Sequence, residues 1–235
     1  MNQKNIFSNY FLITILISSF IYILWSVKLL NDFPWRYVFT DWIINYEGGY
    51  IRRGLLGEIS INLSNFLNLN IKYIFLLIHS SIYLIFHLLF YKFFYKFKRN
   101  YIFYILCFSP LVFLYPIATF EAFARKEIFY ITFFLFNCFL LIKINNRNII
   151  FFSTNSLVIL SYLIHESSLF FLIFFYFSYF IFLKKNNYKI RLSEISFIII
   201  VYSILLYLLA LPVTDEKISK MIFLINQNFF EITKY

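Results

Sequence analysis

The sequence predicts an all-α fold: a polytopic bundle of about seven transmembrane helices with a cytoplasmic N-terminus. Three observations carry this. The chain is 62% hydrophobic and only 14% charged, whereas a soluble domain is about 45–50% apolar and about 25% charged. Apolar runs of roughly twenty residues recur along it, long enough to cross a bilayer as helices and unbroken by the alternation of a β-barrel. The basic residues collect in short loops between these runs, as orientation by positive charge requires, which argues against nucleic acid as the source of the +10 net charge.

Taken in order, the first span covers about 11–30, and the single lysine before it, Lys4, with no small-residue cleavage site after it, reads as an uncleaved first helix. Asp32, Pro34 and Trp35 mark its exit at an interface. The segment 31–70 is then a first loop on the far side. Its second half, 50–67, puts Leu56, Ile59, Leu63, Phe66 and Leu67 on one face, away from Arg53, Ser60, Asn62 and Ser64, which predicts an amphipathic helix along the membrane surface. A second span over 71–90 ends in the acid-free basic stretch 91–99.

Two long apolar stretches follow, 101–142 and 149–183, interrupted by Glu121–Glu127 and by His165-Glu166-Ser167-Ser168. The second alone would make a helix of about 50 Å against a hydrocarbon core of about 30 Å, so each is expected to be a hairpin of two spans. A last span covers 195–211, and 212–235 is an extracytoplasmic tail of what is otherwise one integral membrane domain over 1–235. With the basic loops near 92–99, 143–147 and 184–191 on one side, eleven basic residues face a single acid there, Glu194. The other side holds ten basic and ten acidic residues. Cys107 and Cys138 fall inside apolar runs as fillers, Pro110 and Pro116 are expected to kink the third span, and His79 and His87 read as polar packing partners between helices.

This topology gathers the polar clusters on one extracytoplasmic face. The richest is Asp41–Glu58, which holds Glu47, Gly48, Gly49, Arg52 and Arg53 along with all four glycines of the chain. Asp41 or Glu47, partly desolvated, can act as a general base on an acceptor hydroxyl. Arg52, Arg53, Arg125 and Lys126 can hold phosphate oxygens, with backbone donors added at Gly48 and Gly49 and support from Glu121 and Glu127. His165 and Glu166 can orient each other or serve as a second acid–base pair. Each cluster also has an ordinary reading, since loops must be polar and Glu121 with Arg125 is an i,i+4 pair. Asp41, Glu47, Glu166 and Asp215 could supply a divalent metal, but no ligand spacing supports one, and no cofactor is expected.

On Asp41, the 50–67 helix, Arg125 and His165, the layout resembles membrane glycosyltransferases of the GT-C class and the related bacterial O-antigen and capsule polymerases. The resemblance implies an acidic catalytic residue in the first extracytoplasmic loop, at Asp41, beside a juxtamembrane helix. It also implies a polyprenyl-phosphate- or diphosphate-linked sugar donor held by arginines, and a bacterial inner-membrane location, with other membrane subunits as further partners. Such enzymes usually have more spans, so the chain reads as a minimal or truncated member. The alternatives are a non-catalytic transporter or lipid-binding subunit, or an inactive remnant.

Overall fold

The computed structural model describes residues 3–31, 41–46, 49–94, 123 and 125–220. Within them the chain is helical without strands. Its α-helices with both ends described are α1 (Gln3–Asn31), α2 (Gly54–Leu67), α3 (Ile71–Phe94), α4 (Glu127–Lys143), α5 (Arg147–Ile164), α6 (Leu172–Lys185) and α7 (Leu192–Ala210), and 215–220 is also helical. A 3₁₀ turn, Glu166–Phe171, leads into α6.

Five segments are long and apolar enough to cross a membrane: Phe11–Asn31, Ile71–Phe93, Arg147–Ile164, Glu166–Lys185 and Leu192–Ala210. The expected count of seven is not reached among the described residues. Helix α4 is equally apolar, but its 17 residues span about 26 Å, short of the roughly 30 Å core. The arm expected over 101–120, with Cys107, Pro110 and Pro116, lies outside the described residues, as do Asp32, Pro34, Trp35, most of the 91–99 loop and the end of the tail.

Local chemistry sets the boundaries. Asn68 takes the left-handed conformation (φ 52°) after α2, its N–H returning to the Ser64 carbonyl. Two residues on, the Asn70 side chain accepts from Lys72 N at 3.1 Å and opens α3. Asn146 caps α5 by accepting from the N–H groups of Asn148 and Ile149. At His165 the backbone turns extended (φ −156°, ψ 120°), and this breaks the 149–183 run where the sequence placed a turn.

Contacts between helices fix their directions. Tyr22 pairs with His79 and Phe11 with Tyr91, so α1 and α3 run antiparallel. Trp42 packs on both Phe75 and Phe129, while Lys92 lies over Phe139, so α3 and α4 run parallel. Thr154 donates to Asn137 across α4 and α5 (2.8 Å), and Tyr176 donates to Asn155 across α5 and α6 (3.0 Å), making two successive hairpins. The expected 149–183 hairpin is thus present. Phe151 meets Phe197, setting α7 parallel to α5. The ends carrying Lys143, Arg147, Lys184 and Lys185 therefore cluster opposite the ends carrying Asp41, Arg53, Lys126 and Glu166.

A helix, α2, is present over the segment where the amphipathic helix was expected. Helix α2 packs inward with Gly54, Leu56, Gly57, Ser60, Ile61 and Ser64. Ile59, Phe66 and Leu67 are exposed, Phe66 at 82%. Of the expected apolar stripe Leu56 packs inward; where the surroundings are lipid, bulky apolar chains lose nothing by facing out, and small residues are favoured where backbones approach. At the opposite end, Arg147 grips Glu194 with two hydrogen bonds of 2.7 and 2.6 Å, both side chains buried, and ties α5 to α7. Glu194, expected as the single acid among the basic loops, is thereby matched.

A candidate charged site at one end of the bundle

Four chain segments converge on Arg53. The residue sits just before α2 with φ 66°, a left-handed conformation that costs a non-glycine residue about 1 kcal/mol or more. Its guanidinium donates through Nε and Nη2 to the two oxygens of Glu166 (2.6 and 2.5 Å) and through Nη1 to Asp41 (3.1 Å). This is the two-pronged geometry that only arginine supplies. The fork's hydrogen bond to Glu166, more than any other influence, raises the arginine above its ordinary value.

Lys126 lies beneath this triad, fully buried. Its ammonium donates to the backbone carbonyls of Asp41 (2.7 Å) and Arg53 (3.0 Å), with the Asp41 carboxylate at 3.8 Å. One side chain thus ties the loop, the start of α2 and the start of α4 together. Burial pushes its pKa down from 10.5 to about 8, against the pull of Asp41. The folded chain therefore releases this proton earlier than the unfolded one. The cost of charging it is fully present below pH 8 and is relieved as pH rises toward 10.5, so stability increases across that window, by on the order of 3 kcal/mol. Thermal unfolding of the detergent-solubilised protein at pH 8 and pH 10 checks this: wild type gains on Lys126→Met as pH rises, and an unchanged gap would refute it.

Asp41, Glu166, Arg53 and protonated Lys126 sum to zero formal charge. Arg53 and Lys126 are thus held by carboxylates and carbonyls, and are not open to the phosphate expected on them. Arg52 is different: it is half-buried and forms no ion pair among the described residues. Arg125 is more exposed and reaches Glu127 at 3.7 Å. His165 and Glu166 do not orient each other. The His165 Nδ1 instead meets the Ser167 N–H (3.2 Å) and hydroxyl (2.7 Å), and burial, followed by nearby Arg53, lowers its pKa.

Gly49 adopts φ 98° and sends its N–H to the Tyr46 carbonyl. Glu47, Gly48 and Glu121 lie outside the described residues. Asp215 is exposed and does not join the cluster. Two residues that sequence reasoning passed over do belong here. Lys217 reaches the Tyr50 carbonyl at 3.3 Å. Tyr162, 1% exposed, holds its phenol near Tyr50, Glu166 and Arg52. Among those residues no group of three His, Cys, Asp or Glu side chains could hold a metal.

The fold and site define a class and no more: a helical bundle with membrane-length apolar helices and a charged cluster at one end. No protein-family model matches the chain, and neither a curated protein nor a solved structure is similar to it.

Proposed function

We propose that this is an integral membrane glycosyltransferase or polysaccharide polymerase, using a polyprenyl-phosphate- or diphosphate-linked sugar at the extracytoplasmic face of a bacterial inner membrane. The observation that carries the reading is the Asp41–Arg53–Glu166 triad, built from three separate segments at the end of the bundle opposite the basic loops. In this reading Arg53 is a positioning residue that fixes two carboxylates at the membrane boundary. Asp41 takes the proton from an acceptor hydroxyl as that oxygen attacks the anomeric carbon, and the bond to the donor phosphate breaks with its electron pair leaving on phosphate. Arg52 and Arg125, rather than Arg53 and Lys126, receive that negative charge. No metal or cofactor enters this scheme.

The neutral, self-satisfied quartet also favours a second reading, in which the cluster is a structural cap of a non-catalytic transporter or lipid-binding subunit. Gene deletion separates the two. The enzyme reading expects loss or shortening of a surface glycan. Re-expressed wild type restores it, while membrane-inserted Asp41→Asn and Arg52→Ala restore about a hundredfold less or worse. Unchanged glycans and lipid-linked precursors after deletion would leave the second reading standing.

A further inference from the structure

The end of the bundle opposite the charged site carries a different charge pattern. Lys92 lies in the last turn of α3, Lys143 ends α4, Lys184 and Lys185 end α6, and Lys189 and Arg191 stand in the turn before α7. All six are exposed, and none forms an ion pair among the described residues. Glu194, the acid beside them, is buried and already held by Arg147. Carboxylates balance the cations of the charged site; here the positive charge stands unbalanced among the described residues.

The turns that bear these cations are tied to each other. After α6, Asn187 takes the left-handed conformation (φ 56°) and the Tyr188 N–H returns to the Leu183 carbonyl at 2.9 Å. The Tyr188 hydroxyl then donates to the Asn145 carbonyl (3.1 Å), and Arg191 donates to the Asn148 side chain (3.4 Å). The Arg147 guanidinium lies over the Tyr188 ring, 5.7 Å from its centroid. The 143–148 and 184–191 turns thus form one rim. Orientation of a membrane chain asks only that basic residues lie in such loops. It does not ask that two loops be joined, and holding like charges together costs self-repulsion unless an anion offsets it.

We propose that this rim binds the phosphate headgroups of anionic phospholipids, with the lysines and Arg191 on the phosphate oxygens. Two observations select a lipid over a soluble anion. The cations stand at the ends of Ile71–Phe93 and Glu166–Lys185 and at the start of Leu192–Ala210, all of membrane length. Ile142, Ile190 and Leu192, 57%, 53% and 79% exposed, lie among them; acyl chains cover such side chains, and a free anion leaves them bare. The rim acts independently of whatever the charged site does.

The test places the full chain in phosphatidylcholine vesicles with a trace of spin-labelled phosphatidylglycerol or, separately, of spin-labelled phosphatidylcholine. Electron paramagnetic resonance reads the fraction of each label held against the protein. Wild type is expected to favour phosphatidylglycerol about fivefold. Lys184→Gln/Lys185→Gln/Lys189→Gln/Arg191→Gln should bring that preference to about twofold or less. Tyr188→Ala keeps every charge but unties the two turns, and should reduce the preference by about half. If the fourfold variant does not insert, Lys184→Gln/Lys185→Gln and Tyr188→Ala decide. Equal association of the two labels with wild type, or an undiminished preference in the charge variants, would overturn the proposal. So would a Tyr188→Ala protein that matches wild type, or loss of the preference to inorganic phosphate at constant ionic strength.

Discussion

Arg53→Ala is expected to lower the stability of the solubilised protein by about 3–5 kcal/mol, the loss usual when one partner of a buried ion network is removed. The side chains of Asp41 and Glu166 are only 13% and 18% exposed, so truncation leaves two poorly hydrated carboxylates facing each other without a shared cation. Three companion variants separate the causes. Arg53→Lys keeps the charge but replaces a three-donor fork with a single ammonium, and should recover only part of the loss. Arg53→Gly removes the same charge yet relieves the left-handed backbone, and should be milder than Arg53→Ala by about 1 kcal/mol. Neutralising all three positions, as Asp41→Asn/Arg53→Met/Glu166→Gln, should restore most of the stability, because no buried charge is then unmatched. Thermal unfolding with size-exclusion profiles reads all four. An Arg53→Ala protein as stable as wild type would mean that the triad does not hold the loop to the bundle.

What the sequence made legible here is what depends on neighbours along the chain. The spans at 11–30, 71–90 and 195–211, the break at His165 and the surface helix near 50–67 all lie within a few residues of observed elements, because hydropathy and capping act over one or two turns. The clustering of Asp41, Arg53, Lys126 and Glu166 was foreseeable as a shared face, since basic loops at one end leave the acidic turns at the other. Who pairs with whom was not. Arg53 and Glu166 are 113 positions apart, and nothing local tells Arg53, which closes on two acids, from Arg52, which pairs with none among the described residues. Lys126 was expected to hold phosphate through its charge, together with Arg52, Arg53 and Arg125; only the packed start of α4 makes it an interior tether. In helix α2 the expected stripe is divided: Leu56 packs inward while Ile59, Phe66 and Leu67 face out, because small residues suit the close approach of backbones.

That helix supplies the second large effect. Gly57→Ala should destabilise the protein by about 3 kcal/mol or more, although alanine favours an open helical site over glycine by about 1 kcal/mol. The sign therefore discriminates. A Cβ at position 57 would stand 2.0 Å from the Ile44 carbonyl oxygen, 2.7 Å from its carbon and 2.8 Å from the Trp42 oxygen. All three are backbone atoms that cannot swing aside, so α2 itself must lift from the 42–46 segment. Doing so would strain the bond from the Tyr46 N–H to Glu58 (3.2 Å), one residue along the helix, and would shift Arg53 at its start away from Asp41. Gly54→Ala is the matched control. Its Cβ would meet the Tyr46 ring at 2.4 Å, a side chain that can rotate, so the loss should be smaller and Tyr46→Ala should relieve it while leaving Gly57→Ala unrelieved. Limited trypsinolysis at Arg52 and Arg53, together with thermal unfolding, reads both. A Gly57→Ala chain more stable than wild type would show that α2 does not lie against this loop, and with it the convergence of Asp41 and Arg53 would fall.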